Sequence, residues 1–324
     1  VYRASAPLRR RWLGRLLLAS VSSLGLLNVL AYRHARAFTE FAPEGERTPP
    51  ADRLSVAGKL RVLVEGPRVA RPANHRNPPW PFETHRFPGS RGTTLEAWWV
   101  PLDGARTAAV LLHGHAGAKA SLIGEARALR ELGLATLLVD FHGSGGSSDS
   151  TTSIGWHEAG DVVAALQHAR DLPGIDRVVL YGESMGAVAA IRAAGPLGAR
   201  PDALILECPF DSLAGTVRHR FQAFGVPAFP AADLLLFWGG LQQGFDAFAF
   251  NPRDDAAQVT APTLLLNGDR DPWVRVDEAQ AIYRALPAQP RAIHLFRGLG
   301  HESLLRSREE WLGVVSAFLG RLPS

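Results

Sequence analysis

Residues 178–190 constrain this chain more than any other stretch. The apolar, β-branched run Val178-Val179-Leu180-Tyr181 ends in Gly182-Glu183-Ser184-Met185-Gly186, and a small-residue segment of helical composition follows without a break. A strand that turns this abruptly into a helix belongs to a sheet with helices packed on it, and the G-x-S-x-G spacing sets a lone serine at the apex of the turn. Glycines flank it because a side chain at either position meets the neighbouring strand or helix. Read chemically, Ser184 is a nucleophile. Read structurally, it caps the helix, a position serine favours. The choice rests on whether the rest of the chain supplies partners.

From residue 82 onward, strand and helix patterns alternate. Apolar runs at 82–87, 94–100, 107–112, 135–139, 177–181, 203–207, 263–267 and 292–296 predict strands, the first two an antiparallel pair. Helical periodicity at 118–132, 157–170, 185–194, 276–286 and 308–319 predicts the helices between them. This pattern predicts an α/β fold, a mostly parallel central sheet flanked by helices. About fifty residues separate the strands at 203–207 and 263–267, too many for a structureless loop, so an insert of two or three short helices is expected at about 209–258. Its aromatic residues, Phe221, Phe224, Phe229, Phe237, Trp238, Phe245, Phe248 and Phe250, either glue the insert to the domain or line an apolar pocket beneath a cap.

Acyl transfer by a serine needs a base, a carboxylate that orients the base, and donors for the oxyanion. Each has a candidate at the C-terminal end of a predicted strand, where sites lie in such sheets. The base candidate is His301, in a Gly-bracketed loop after the last strand; His294, inside that strand, competes with it. The acid candidate is Asp271, with Asp269 beside it and Asp211 past the preceding strand as alternatives. The loop 112–117, Leu-His-Gly-His-Ala-Gly, can turn amides toward a developing charge, and the amide of Met185 is a second donor. His113 and His115 at i, i+2 without a nearby acid or cysteine make a poor metal site, so no metal is expected. Residues 143–148 resemble a phosphate loop but lack its lysine, and no cofactor is expected.

The N-terminus adds a membrane element. Leu13 to Tyr32 is a stretch of 20 residues, about 30 Å as a helix, the thickness of a bilayer core. Arg9, Arg10, Arg11 and Arg15 stand at its start, Arg33, His34 and Arg36 at its end; Asn28 and three serines weaken it. Three readings compete: a single-pass signal anchor, a signal peptide cleaved after the small-x-small Ala35-Arg36-Ala37, and a buried helix. The anchor is preferred, since the run exceeds an ordinary signal-peptide core. The heavier positive charge before the span sets the N-terminus in the cytoplasm and the domain on the extracytoplasmic side. The expected organisation is a basic N-terminus at 1–12, the anchor at 13–32, a Pro-rich connector at 33–81 and the α/β domain at 82–324. All but two of the 35 basic residues are arginines, scattered among acids, so no nucleic-acid partner is expected. Cys208 is the one cysteine, which excludes an intrachain disulfide.

Five motifs stand in order at predicted strand ends: H-G-x-x-G at 113–117, D-F-H-G-S-G-G-S-S at 140–148, G-E-S-M-G at 182–186, N-G-D-R-D-P at 267–272 and G-x-G-H at 298–301. Together they resemble the α/β-hydrolase superfamily over about residues 82–320. In particular the chain looks like bacterial single-pass membrane members related to serine-aminopeptidase-like and acylglycerol-lipase-like hydrolases. The resemblance implies the α/β-hydrolase fold, Ser184 as nucleophile, Asp271 as acid, His301 as base, an oxyanion hole from the amides of His115 and Met185, and a cap at 209–258. His142 departs from it, since relatives commonly carry arginine there. The expectation is a membrane-anchored serine hydrolase that cleaves an ester, thioester or amide of a lipophilic acyl substrate through an acyl-enzyme. A catalytically silent binding protein of the same fold is the alternative, and haloperoxidase or lyase use of the triad a third.

Overall fold

The computed structural model describes residues 6–43, 47–49, 53–223, 225, 227–287 and 289–322. Residues 1–5 of the expected basic N-terminus, Pro50 of the connector and Phe224 of the insert lie outside the described residues. In chain order the elements are α1 (Ala6–Thr39), α2 (Val56–Glu65), β1 (Glu83–Pro88), β2 (Thr94–Val100), β3 (Thr107–Leu112), α3 (Ile123–Glu131), β4 (Ala135–Asp140), α4 (Glu158–Arg170), β5 (Arg177–Glu183), α5 (Met185–Ala194), β6 (Ala203–Glu207), α6 (Leu213–Ala223), α7 (Ala231–Gln243), α8 (Pro252–Ala256), β7 (Thr263–Gly268), α9 (Val276–Ala285), β8 (Arg291–Phe296) and α10 (Arg308–Leu319).

The strands form one eight-stranded sheet in the order β1-β2-β4-β3-β5-β6-β7-β8. β1 and β2 pair antiparallel, β2 joins β4 antiparallel, and every pairing from β4 to β8 is parallel. The central strands β4, β6 and β7 are buried at every residue, which is why they read as unbroken apolar runs. Side chains of α4, α5 and α9 cover one face, while α3, α10 and the insert cover the other. β3 and β5 are neighbours whose following helices, α3 and α5, go to opposite faces, so a crevice opens between their C-terminal ends. Leu112 is in register with Gly182, which puts residues 113–117 directly beside the Ser184 turn.

The N-terminal helix differs from its expected length. The sequence reading stops the apolar span at Tyr32; the helix continues to Thr39, with Trp12–Thr39 long and apolar enough to cross a membrane. Packing carries it on. Ala31, Ala35 and Thr39, spaced four apart on one stripe, are buried, and Ala35 sits against Gly239 of α7. Trp238 of α7 donates its indole N–H to Asn28 Oδ1 at 3.2 Å, and Gln242 donates to the Tyr32 carbonyl at 2.9 Å. The polar Asn28 is thereby satisfied, its own amide donating to the Leu24 carbonyl. Beyond Thr39 the chain is pinned rather than extended free: Phe41 N donates to Ser150 O, Thr152 N to Thr39 O, and Ala42 N to Val69 O.

A buried ion cluster fixes the turn from β3 to α3. Lys119 is fully buried, with its ammonium on Glu96 Oε1 at 2.9 Å and on Asp140 Oδ2, and over the Trp98 ring at 4.4 Å. Asp140 also accepts from the Lys119 amide at 2.7 Å, from Asn74 at 2.8 Å and from the Gly146 amide at 2.8 Å. Burial opposes the charge on Asp140, but the Lys119 ammonium and the hydrogen bonds from its amide and side chain outweigh it and hold the carboxyl below its ordinary range. Removing the cation leaves Asp140 without a compensating charge in the interior, while Glu96 keeps only the exposed Arg86. Lys119→Met is therefore expected to cost about 3–5 kcal/mol of stability in equilibrium urea unfolding.

Candidate active site

The strand–helix turn at Ser184 is held by backbone contact. A Cβ on Gly186 would lie 2.2 Å from the Leu112 carbonyl oxygen, and one on Gly182 would lie 2.6 Å from the Gly186 oxygen. Only glycine lets β3, β5 and α5 approach this closely. Between them Ser184 takes φ 50°, ψ −109°, a left-handed conformation that costs a non-glycine residue energy and pushes its side chain out of the turn. The Ser184 amide is satisfied by the Glu207 carbonyl at 2.8 Å. Ser184 does begin α5, but its hydroxyl makes no capping bond to that helix.

The hydroxyl faces an imidazole instead. Ser184 Oγ is 3.1 Å from His301 Nε2, and His301 Nδ1 is 2.6 Å from Asp271 Oδ2. Asp271 Oδ1 accepts the amides of Trp273 at 2.8 Å and Val274 at 2.9 Å, so the carboxylate is locked on both oxygens. The Asp271 carboxylate can only accept, which sets the ring proton on His301 Nδ1 and leaves Nε2 free to accept from serine. The competing residues are engaged elsewhere. Asp269 accepts the Gly298 amide at 2.7 Å and so pins the His301 loop. Asp211 lies 4.0 Å from Arg253 and next to Glu278. His294 pairs with Glu310 at 2.8 Å on the far helix α10.

The loop 113–117 lies on the other side of Ser184. A Cβ on Gly114 would be 3.6 Å from Ser184 Cβ. His113 braces this loop: its Nδ1 meets the Gly114 carbonyl at 2.8 Å and its Nε2 accepts the Phe141 amide at 3.2 Å, while burial keeps the ring neutral. His115 donates from Nε2 to the Phe38 carbonyl at 3.2 Å and packs on Phe41. Burial lowers its pKa as well. Met185 carries the first amide of α5, which has no acceptor within the helix and sits at the positive end of its dipole.

Donor atoms of Cys208, Asp271 and His301 lie within 4.8 Å of one another, a grouping compact enough to hold a metal ion. Its chemistry fits poorly. Burial, Asp271 and Glu207 push the Cys208 thiol well up, and a metal binds the thiolate. Asp271 already spends both oxygens on His301 and two amides.

A strained serine at the switch point of a doubly wound sheet, within reach of a histidine and an aspartate from later strand ends, defines a class. Residues 109–314 match the alpha/beta hydrolase family, and the chain belongs to it. It is 27% identical over 198 residues to the uncharacterized protein YqkD of Bacillus subtilis, matching 59% of this chain and 64% of that one, so less than two thirds of that relative is spanned. It is 31% identical over 216 residues to the uncharacterized protein Rv2307c of Mycobacterium tuberculosis, matching 65% of this chain and 69% of that one. The esterase Pf2001 of Pyrococcus furiosus shares the fold, with a TM-score of 0.66 at 21% identity over 78% of this chain and 97% of the esterase.

Several groups around the site escape a reading of the sequence. Behind Ser184 lie three acids: burial and Glu125 hold Glu183 up at about 7, and burial holds Glu207 up at about 8 against the hydrogen bond from Trp311. Glu125, also raised by burial, accepts from Ser303 at 2.7 Å, two residues past His301. From the insert, Arg220 of α6 stands 5.6 Å from the Trp273 ring with its Nε unpartnered. The one signal available was an acid ending an apolar run, as Glu207 does.

His142 shows what its departure from arginine does. Burial opposes its charge, yet the 2.5 Å bond to Asp161 and the field of Glu158 outweigh it, so its pKa is about 9 and it stays an imidazolium. A pKa raised from 6.5 stabilises the fold fully below pH 6.5 and loses that stabilisation as pH climbs through 9. Glu183 and Glu207 act in the same sense: their stabilisation is full below pH 4.5 and is lost as pH climbs through about 7 and 8. A comparison isolates the histidine. Between pH 6.5 and 9 the wild type is expected to lose on the order of 3 kcal/mol more than His142→Arg, whose guanidinium stays charged, as read from unfolding curves across that range.

Proposed function

We propose that this chain is a membrane-anchored serine hydrolase that cleaves an ester, thioester or amide of a lipophilic acyl group through an acyl-enzyme. The observation that carries the reading is the continuous hydrogen-bonded line Ser184 Oγ, His301, Asp271, with serine in a strained turn. As Ser184 Oγ attacks the carbonyl carbon, His301 Nε2 takes its proton and becomes an imidazolium. Asp271 stays ionised, orients the ring and stabilises its charge. The oxyanion of the tetrahedral intermediate turns to the amides of His115 and Met185. His301 then protonates the leaving group, and water repeats the sequence in reverse on the acyl-enzyme.

The anchor reading draws support from the packing of α1. Ala35, the first residue of the small-x-small signal, is buried, and its carbonyl accepts from Thr39 within one continuous helix. A peptidase reaches only exposed, unfolded backbone, so this packing argues for retention. The arginines at the start of the span set the domain on the extracytoplasmic side. The lipophilic substrate follows from the aromatic insert lying against that same helix: Tyr32 and Trp238 meet edge to face at 5.4 Å. The organisation we propose is therefore anchor 13–32, connector 33–81, and catalytic domain 82–324 with its cap at 209–258.

Two measurements test the chemistry. A fluorophosphonate probe is expected to label the wild type covalently and to leave Ser184→Ala unlabelled; labelling that persists removes Ser184 as the nucleophile. Asp271→Asn is expected to lower turnover of an activated ester about 10⁴-fold, since the amide fixes the wrong tautomer of His301. A large loss in Asp211→Asn with a small one in Asp271→Asn moves the acid to residue 211.

A further inference from the structure

Soluble folds bury the apolar faces of their helices, and α2 and α7 do not. Val56, Leu60 and Leu63 recur on one stripe of α2, a helix with no buried residue at all. On the insert, Phe237 and Leu241 stand one turn apart on α7, with Phe229 just before it. All six are half or more exposed. Outside α1, every exposed large hydrophobic among the described residues lies on α2 or the insert, except Leu197.

The two elements share a neighbour. α2 meets α1 where His34 Nε2 donates to the Leu63 carbonyl at 2.9 Å. α7 meets it higher, at Asn28 and Tyr32. Those two positions fall inside the 20-residue stretch that matches the bilayer core, so a helix touching them sits at the depth of the headgroups and upper acyl chains rather than in bulk water. Charge agrees with that depth. Lys59 borders the α2 stripe, as basic residues do on helices that lie in a membrane interface, and Arg61 faces away with Glu65.

We propose that α2 and α7 form a collar around the end of α1 that lies in the membrane interface, with these six side chains among the lipids. The proposal rests on the reading of α1 as an anchor, and its occupant is the bilayer that α1 enters. The collar brings the domain down onto the membrane with the insert at the lipid boundary. An acyl substrate then reaches the crevice beside Ser184 from the bilayer, past the insert, without crossing water.

The full chain in phosphatidylcholine–phosphatidylglycerol nanodiscs provides the test. Single cysteines replace Leu63 and Leu241 in the collar, Leu18 in α1 and Leu197 on the body, each labelled with a nitroxide; the unsubstituted chain, whose Cys208 is buried, is the labelling blank. Leu197 follows the C-terminal end of α5 and so lies at the opposite end of the domain from Ser184. Collar labels at Leu63→Cys and Leu241→Cys are expected to relax with lipid-soluble oxygen severalfold more than with a water-soluble nickel chelate, as Leu18→Cys does, and Leu197→Cys to show the reverse. Collar labels that follow Leu197→Cys while Leu18→Cys reports lipid overturn the collar and leave the anchor. If Leu18→Cys reports water, the anchor reading fails and the collar, which rests on it, falls with it. Collar labels shielded from both reagents and broadened by spin–spin coupling mean that a second copy covers this face, which overturns the proposal.

Discussion

The approach of α5 to the C-terminal ends of β3 and β5 is the contact on which this molecule turns. With a Cβ on Gly186 only 2.2 Å from the Leu112 oxygen, there is room for backbone and nothing else. That closeness bends the chain through Ser184 at a positive φ and aligns the first amides of α5 with the loop that follows β3. The strain is local and the restraint is spread over the sheet, since Ser184 N is held by β6 and the flanking residues by both neighbouring strands. A bend of this kind persists only where the surrounding structure over-determines it.

Around the bend the interior carries many ionisable groups, and two opposite solutions keep them tolerable. Asp140 beside Lys119, and Glu158 beside His142, keep their charge against a neighbouring cation. Glu183 and Glu207 take the other course: burial raises their pKa to about 7 and 8, so each stays protonated to a higher pH than an ordinary carboxyl. The division follows geometry. Compensated pairs brace the loops around the C-terminal end of β4, and the two raised acids flank the serine turn.

Much of this was legible in the sequence because the informative residues sit at strand ends. Each apolar run that stops at a glycine or an acid marked a strand of the sheet, and the order of Ser184, Asp271 and His301 along the chain brought three such ends together. What was not legible depends on contacts between distant segments. Pro-rich composition around residues 33–81 reads as a tether or a strap on the domain surface, but α1 continues to Thr39 because Ala35 meets Gly239 of α7, some 200 residues later in the chain. Local composition says nothing of that partner. The short apolar patch at residues 60–64 belongs to a helix whose stripe is visible only once its start, capped by Ser55, is known. Glu125 and Arg220 are ordinary surface-type residues in sequence, and only the packing of α3 and α6 turns them toward the site.

The hydrogen bond from His115 to the Phe38 carbonyl ties the last turn of α1 to the loop beside the serine. Phe41 packs at a tilt against the same ring, and residues 39–42 are laced to Ser150, Thr152 and Val69. The helix and the domain therefore have no seam between them at the point where a hydropathy plot draws one. For protein engineering this fixes where the chain can be cut. A boundary set at the end of the apolar span leaves Phe38 to Ala42 on the domain and keeps the side of the crevice intact, whereas one set at the first strand strips away a wall and frees the imidazole of His115.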